Sequence, residues 1–175
     1  MLGEAMKTAA LLKAALLTAA LSVSPVRAGI VISDNLSQPH AASITLSSST
    51  WAGQAFFSGA YTALEAIHLN LYGGTSGSFS VQLWNDEGVG GTPGSLVATL
   101  ASGLANPTTL DVDNVVSITG LNVPMVKLTT YYIVVRPTSG QVKWGYTSSE
   151  SGQGFPSAFS YTVNAGGSWS DPDYN

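Results

Sequence analysis

The sequence predicts an all-β protein, an antiparallel β-sandwich of jelly-roll-like form with nine or ten strands. Three observations predict it. Apolar residues recur with period 2 through nearly all of the chain after residue 28. Clusters of Gly, Pro, Ser and Asn interrupt these runs every 10 to 15 residues. No stretch after residue 28 carries the 3.6-residue period of a helix.

Residues 1–28 have the layout of a secretory signal peptide. Lys7 opens a short basic end, Thr8 to Leu21 is an Ala/Leu run broken by Lys13 and Thr18, and Val26-Arg27-Ala28 precedes a cut before Gly29. Met6-Lys7 makes a cleaner start than Met1 with Glu4. A membrane anchor suits the segment less well, because the run falls short of the ~20 apolar residues of a span and holds Lys13. Residues 29–175 are then one exported domain, secreted or held at a bacterial cell surface.

Within that domain Ile67, Leu69 and Leu71 alternate with His68 and Asn70, and Phe79, Val81 and Leu83 with Ser80 and Gln82. Leu96, Ala98 and Leu100 alternate with Val97 and Thr99, and Val142, Trp144 and Tyr146 flank Lys143 and Gly145. Each reads as a strand with one face on a core and the other in water. Tyr131 to Val135 is a continuous β-branched and aromatic run, which suits a central strand buried on both sides. Turns fall at Gly73–Gly77, Gly88–Gly94, Asn106-Pro107, Pro137–Gly140, Gly152–Pro156 and Gly166-Gly167.

The charge count excludes whole classes of function. The full chain has six Lys+Arg against ten Asp+Glu, and without the leader three bases (Lys127, Arg136, Lys143) face nine acids, a net −6. Nucleic acid is therefore not an expected partner, since phosphate binding needs clustered bases. The absence of Cys removes disulfides, thiolate metal sites and cysteine nucleophiles. Ser, Thr, Gly and Asn make up 61 of the 147 residues after the leader, yet the patterned apolar residues oppose disorder.

The order of several segments carries a family resemblance. Trp51-Ala-Gly-Gln-Ala-Phe-Phe, Tyr61 to Leu71, Phe79-Ser-Val-Gln-Leu-Trp-Asn-Asp and Gly91-Thr-Pro-Gly-Ser-Leu-Val-Ala-Thr-Leu come first. Thr129-Thr-Tyr-Tyr-Ile-Val-Val, Val142-Lys-Trp and Ala165-Gly-Gly-Ser-Trp follow. Taken together over residues 36–170 the chain resembles the choice-of-anchor R domain. That resemblance implies an exported bacterial β-sandwich with no established catalytic centre, often fixed to an envelope or matrix by a PEP-CTERM-like or sortase-type tail. Such domains run on past the Gly-Gly-Ser-Trp turn into a final strand and a sorting tail; here Asp171-Pro172-Asp173-Tyr174-Asn175 follows instead. The expectation is a sandwich one strand short, its open edge explained by truncation, by Ile30-Val31-Ile32 of the same chain, or by a strand of a neighbouring subunit in a polymer.

Candidate chemistry is sparse. His68 is expected on an outward position and His40 in a polar lead, with no Gly-x-Ser-x-Gly elbow to complete a triad. Asp86 and Glu87 adjoin in a loop, while Asp111 and Asp113 are expected on one side of a strand, without sign of a glycosidase pocket. A structural calcium held by Asp111, Asp113, Asp171 and Asp173 fits better, since calcium takes hard oxygens, although neither cluster matches a twelve-residue calcium loop. No other cofactor is implied. A polysaccharide platform is the stronger alternative: Trp84, Tyr72 and Trp169 supply aromatic faces at strand ends, and Asn85 and Asp86 supply hydroxyl acceptors. Trp51 and Trp144 read as core. The sequence thus leads to an exported, non-catalytic structural or adhesive module of a cell surface or extracellular matrix. Carbohydrate binding and a strand-complemented polymer are the alternatives.

Overall fold

The computed structural model describes residues 36–147 and 159–170. Eleven strands run through them: β1 (Ala42–Ser47), β2 (Trp51–Phe57), β3 (Ala63–Leu64), β4 (Ile67–Tyr72), β5 (Ser78–Asn85), β6 (Leu96–Ala105), β7 (Val115–Ile118), β8 (Val123–Pro124), β9 (Thr130–Ser139), β10 (Gln141–Tyr146) and β11 (Phe159–Thr162). One sheet has the order β1-β10-β4-β7 and another β11-β2-β9-β5-β6, while β3 and β8 form a two-stranded ladder. Every pairing is antiparallel. The all-β sandwich expectation holds, but nine or ten strands become eleven. The period-2 pattern passes over β3 and β8 because each has only two residues. Pro124 has no N–H to donate, so their ladder stops at Ala63↔Pro124 and Leu64↔Val123.

The two large sheets share one core. Phe56, Phe79, Val81, Leu83, Tyr131, Ile133 and Val135 enter it from the five-stranded sheet. Leu46, Leu69, Leu71, Val142 and Trp144 enter it from the four-stranded one. Burying each such side chain contributes about 1.5–3 kcal/mol, which makes this layer the main source of stability. The alternation in β4 is as expected: Ile67, Leu69 and Leu71 are buried and His68 is exposed. The expectation for Tyr131–Val135 also holds, since Tyr132 and Val134 are fully buried on the face opposite the core.

Two corners carry the chain from one sheet to the other. Between β1 and β2, Ser47 N donates to Thr50 O at 2.9 Å and Thr50 N to Ser47 O at 3.2 Å. Between β9 and β10 the corner is Gly140 at φ 67°, where a Cβ would lie 2.5 Å from Ser76 O, so only glycine fits.

The outer edges of the five-stranded sheet differ. β6 pairs with β5 through three register shifts, which bend it. Along the free side of β11, Tyr161 N donates to Ser170 O at 3.0 Å and Ser170 N to Tyr161 O at 2.8 Å. The expected leader, Ile30–Ile32, the turn at Gly152–Pro156 and the Asp171–Asn175 ending lie outside the described residues. Among the described residues no helix is long and apolar enough to cross a membrane.

Candidate functional site: an aromatic face outside the core

The outer face of the five-stranded sheet is built from alternate residues of neighbouring strands. Register sets Trp84 of β5 opposite Tyr132 of β9, which lies opposite Ala55 of β2; one step along, Gln82, Val134 and Gly53 form a second row. Gly53 and Ala55 are small and leave room above the sheet. Trp51, Ala55, Tyr132 and Val134 form a second buried cluster there, with Trp84 and Trp169 packed against it. Trp84 and Trp169 meet edge to face, with ring centroids 6.0 Å apart and planes at 70°. The ring quadrupole favours this arrangement, because the positive edge of one ring meets the negative face of the other. Trp84 Nε1 donates to Gln82 Oε1 at 3.0 Å, which fixes the indole on the sheet. Both rings are half-buried and keep part of their surface in solvent.

Two loops frame this face. The β5–β6 loop folds back until Pro93 Cγ lies 3.3 Å from the point where a Gly53 Cβ would stand, and the Tyr132 hydroxyl donates to the Gly91 carbonyl. The turn after β11 brings Gly166 flat against Trp51 at φ 84°; a Cβ there would lie 2.6 Å from Trp51 Cζ3. The Arg136 guanidinium covers Trp51 with Cζ 4.6 Å from the ring centroid, a contact worth about 0.5–1 kcal/mol at an exposed site. Ser160, opposite Gly53, is fully buried, and among the described residues its Oγ has no hydrogen-bond partner.

No family model, curated protein or solved structure matches the chain. The chemistry of the face must therefore be read from its own residues. Of the five side chains expected on one platform, the structure brings Trp84 and Trp169 together, with Asn85 and Asp86 adjoining along the chain. Asn85 is engaged in closing its own loop. Its Oδ1 accepts Ser95 N at 2.6 Å and its Nδ2 donates to Glu87 Oε2 at 2.6 Å.

Tyr72 does not belong to this platform. It sits on the four-stranded sheet, buried, with its hydroxyl 3.0 Å from His40 Nε2 and its ring edge-on to the imidazole. Lys143 Nζ stands 6.0 Å from the same ring. Strand-end position marked all three aromatics alike, but the sheet that each strand joins is a long-range property. Trp51 is buried as expected, in the second cluster on the outer face of the five-stranded sheet. Trp144 is in the core between the sheets.

The carboxylates also differ from expectation. Asp111 and Asp113 stand in a turn before β7, not on a strand. Asp111 Oδ1 accepts Asp113 N at 3.0 Å, an Asx turn, and Asn114 N closes onto Asp111 O at 3.2 Å. This local bonding competes with strand formation and wins. Among the described residues no three His, Asp or Glu side chains gather as metal ligands, and Asp171 and Asp173 lie outside them. His68 is exposed as expected, with Nδ1 2.8 Å from the Oγ of Ser117, its cross-strand partner on β7.

Gln82, Tyr132 and Arg136 join the aromatic face beside the residues expected there. The available signal was the two-sided run at Tyr131–Val135, which requires cover on the side away from the core.

Proposed function

We propose that this chain is an exported, non-catalytic adhesive β-sandwich module of a bacterial surface or extracellular matrix, and that it grips glycan through Trp84 and Trp169. The observation that carries the proposal is the edge-to-face indole pair, half-open to solvent on a face separate from the core. One indole offers a flat apolar surface on which a pyranose ring can stack, and the other stands as a wall beside it. Gln82 and the loop framing around Gly91–Pro93 hold the geometry in advance, which lowers the ordering cost of binding. The resemblance of the ordered segments to choice-of-anchor R domains and the signal-peptide layout of residues 1–28 support export and display.

Retention on a panel of immobilised polysaccharides tests this reading. The wild-type chain is expected to be retained on at least one matrix, with retention lost in Trp84→Ala and Trp169→Ala and kept in Tyr72→Phe. Equal retention of all three variants would reject the indole pair as the contact. A chain that passes every matrix unretained would leave a purely structural module.

A further inference from the structure

The end of the sandwich formed by the β2–β3 and β8–β9 connections gathers exposed apolar side chains beside a left-handed, non-glycine backbone position. Four large apolar or aromatic side chains are exposed there: Phe57 at 52%, Tyr61 at 36%, Val126 at 67% and Leu128 at 73%. Leu128 also holds φ 55°, a left-handed conformation disfavoured for any residue with a Cβ and suited to Gly or Asn. An exposed leucine in a strained position gains nothing for the fold.

The two connections are bound into one unit. Ser58 N donates to Thr129 O at 2.9 Å and Leu128 N to Gly59 O at 2.7 Å. The Ser58 hydroxyl donates to Val126 O at 2.8 Å and accepts Thr129 N at 3.0 Å. Val126 N donates to the Tyr131 hydroxyl at 2.8 Å, and both Met125 and Tyr131 are buried beneath. The fold therefore presents Val126 and Leu128 on a rigid base.

We propose that this tip, residues 57–62 and 125–129, inserts into a lipid surface. The four side chains expose on the order of 400 Å², about half of the roughly 800 Å² per partner that a stable protein interface buries. A lipid surface needs no complementary shape, so a small apolar tip suffices. The only charge in these two segments is Lys127, in a chain of net −4. A lysine between two apolar residues can bury its stem and leave its ammonium among headgroup phosphates, while Tyr61 suits the interfacial layer. The β5–β6 loop leaves from the same end of the five-stranded sheet, since Asn85 lies opposite Tyr131. Its Val89 is 96% exposed, and the loop also carries the acids Asp86 and Glu87, the second bonded to the Asn85 amide.

Co-sedimentation of the chain with vesicles of phosphatidylcholine and phosphatidylglycerol tests the proposal. The wild type is expected in the vesicle pellet. Leu128→Gly is expected to melt no lower than wild type, because glycine tolerates the positive φ, yet to partition about tenfold more weakly for want of one leucine side chain. Val126→Ser is expected to act in the same direction. A wild type that stays in the supernatant, or a Leu128→Gly variant that partitions as wild type does, overturns the proposal. So does sedimentation velocity showing a dimer that Leu128→Gly dissolves, which would assign the tip to a second copy of the chain.

Discussion

Asn106 Nδ2 donates to the carbonyl of Ser139 at 3.0 Å, and the same nitrogen reaches the carbonyl of Thr75 at 3.1 Å. One buried amide thus ties the β9–β10 corner to the β4–β5 loop, while its backbone N donates to Gly77 O at 3.0 Å. Asn106→Ala leaves two carbonyls without their donor and is expected to cost about 1–3 kcal/mol. Asn106→Asp should cost more, because a carboxylate would face carbonyl oxygens. Urea denaturation reads both as a lower midpoint at unchanged slope. Wild-type midpoints in both variants would show that the corner holds without the amide.

The indole pair should be thermodynamically coupled. Trp84→Ala and Trp169→Ala each expose part of the outer cluster and should lower stability, but the double variant should lose less than the sum. An aromatic pair of this geometry contributes about 0.5–1.5 kcal/mol beyond area burial, so a double-mutant cycle should return a coupling in that range. Strict additivity would mean that the rings merely adjoin.

Two glycines at positive φ separate strain from collision. Gly120, at φ 72°, has open space where a Cβ would go, and Gly166, at φ 84°, has the Trp51 ring 2.6 Å away. Gly120→Ala should cost about 1 kcal/mol from backbone strain alone. Gly166→Ala should cost clearly more, because either Trp51 or the turn must move. Equal melting temperatures would contradict the contact between the turn and the indole.

Ser160→Ala runs the other way. Its Oγ is buried without a partner among the described residues, so removing the hydroxyl removes a desolvation cost of about 1 kcal/mol or more and leaves the packing nearly unchanged. The variant should melt at or above the wild-type temperature. A lower melting temperature would mean that the hydroxyl is satisfied in solution.

The fold class was legible because it depends on local alternation. Ile67, Leu69 and Leu71 point one way whatever the rest of the chain does, and Tyr131–Val135 announced cover on both sides. The sites were less legible because they depend on which strands become neighbours. The parity of Phe79, Val81 and Leu83 places Trp84 on the outward face, where it lies. Nothing local says that Trp169 reaches it, or that Tyr72 lies on the other sheet against His40. Trp51 is core as expected, but the outer cluster that holds it is not legible, because Gly53 and Ala55 share its parity and small residues look neutral until something packs over them. Asp111 and Asp113 show the reverse: an Asx turn visible in type, Asp followed two residues on by a free backbone N–H, overrode the strand expected there.

The three register shifts in β6 have a consequence for how this sheet edge meets another strand. Edge strands are commonly guarded by lysine, whose charge repels an incoming strand. This chain carries Lys and Arg at only six positions, none of them within Leu96–Ala105. Protection there is written into the backbone: the bent ladder offers no straight row of donors and acceptors for another chain to copy. Geometry is not screened by ions, so molar salt, which disarms charge-guarded edges, should leave this edge as unreceptive as dilute buffer does.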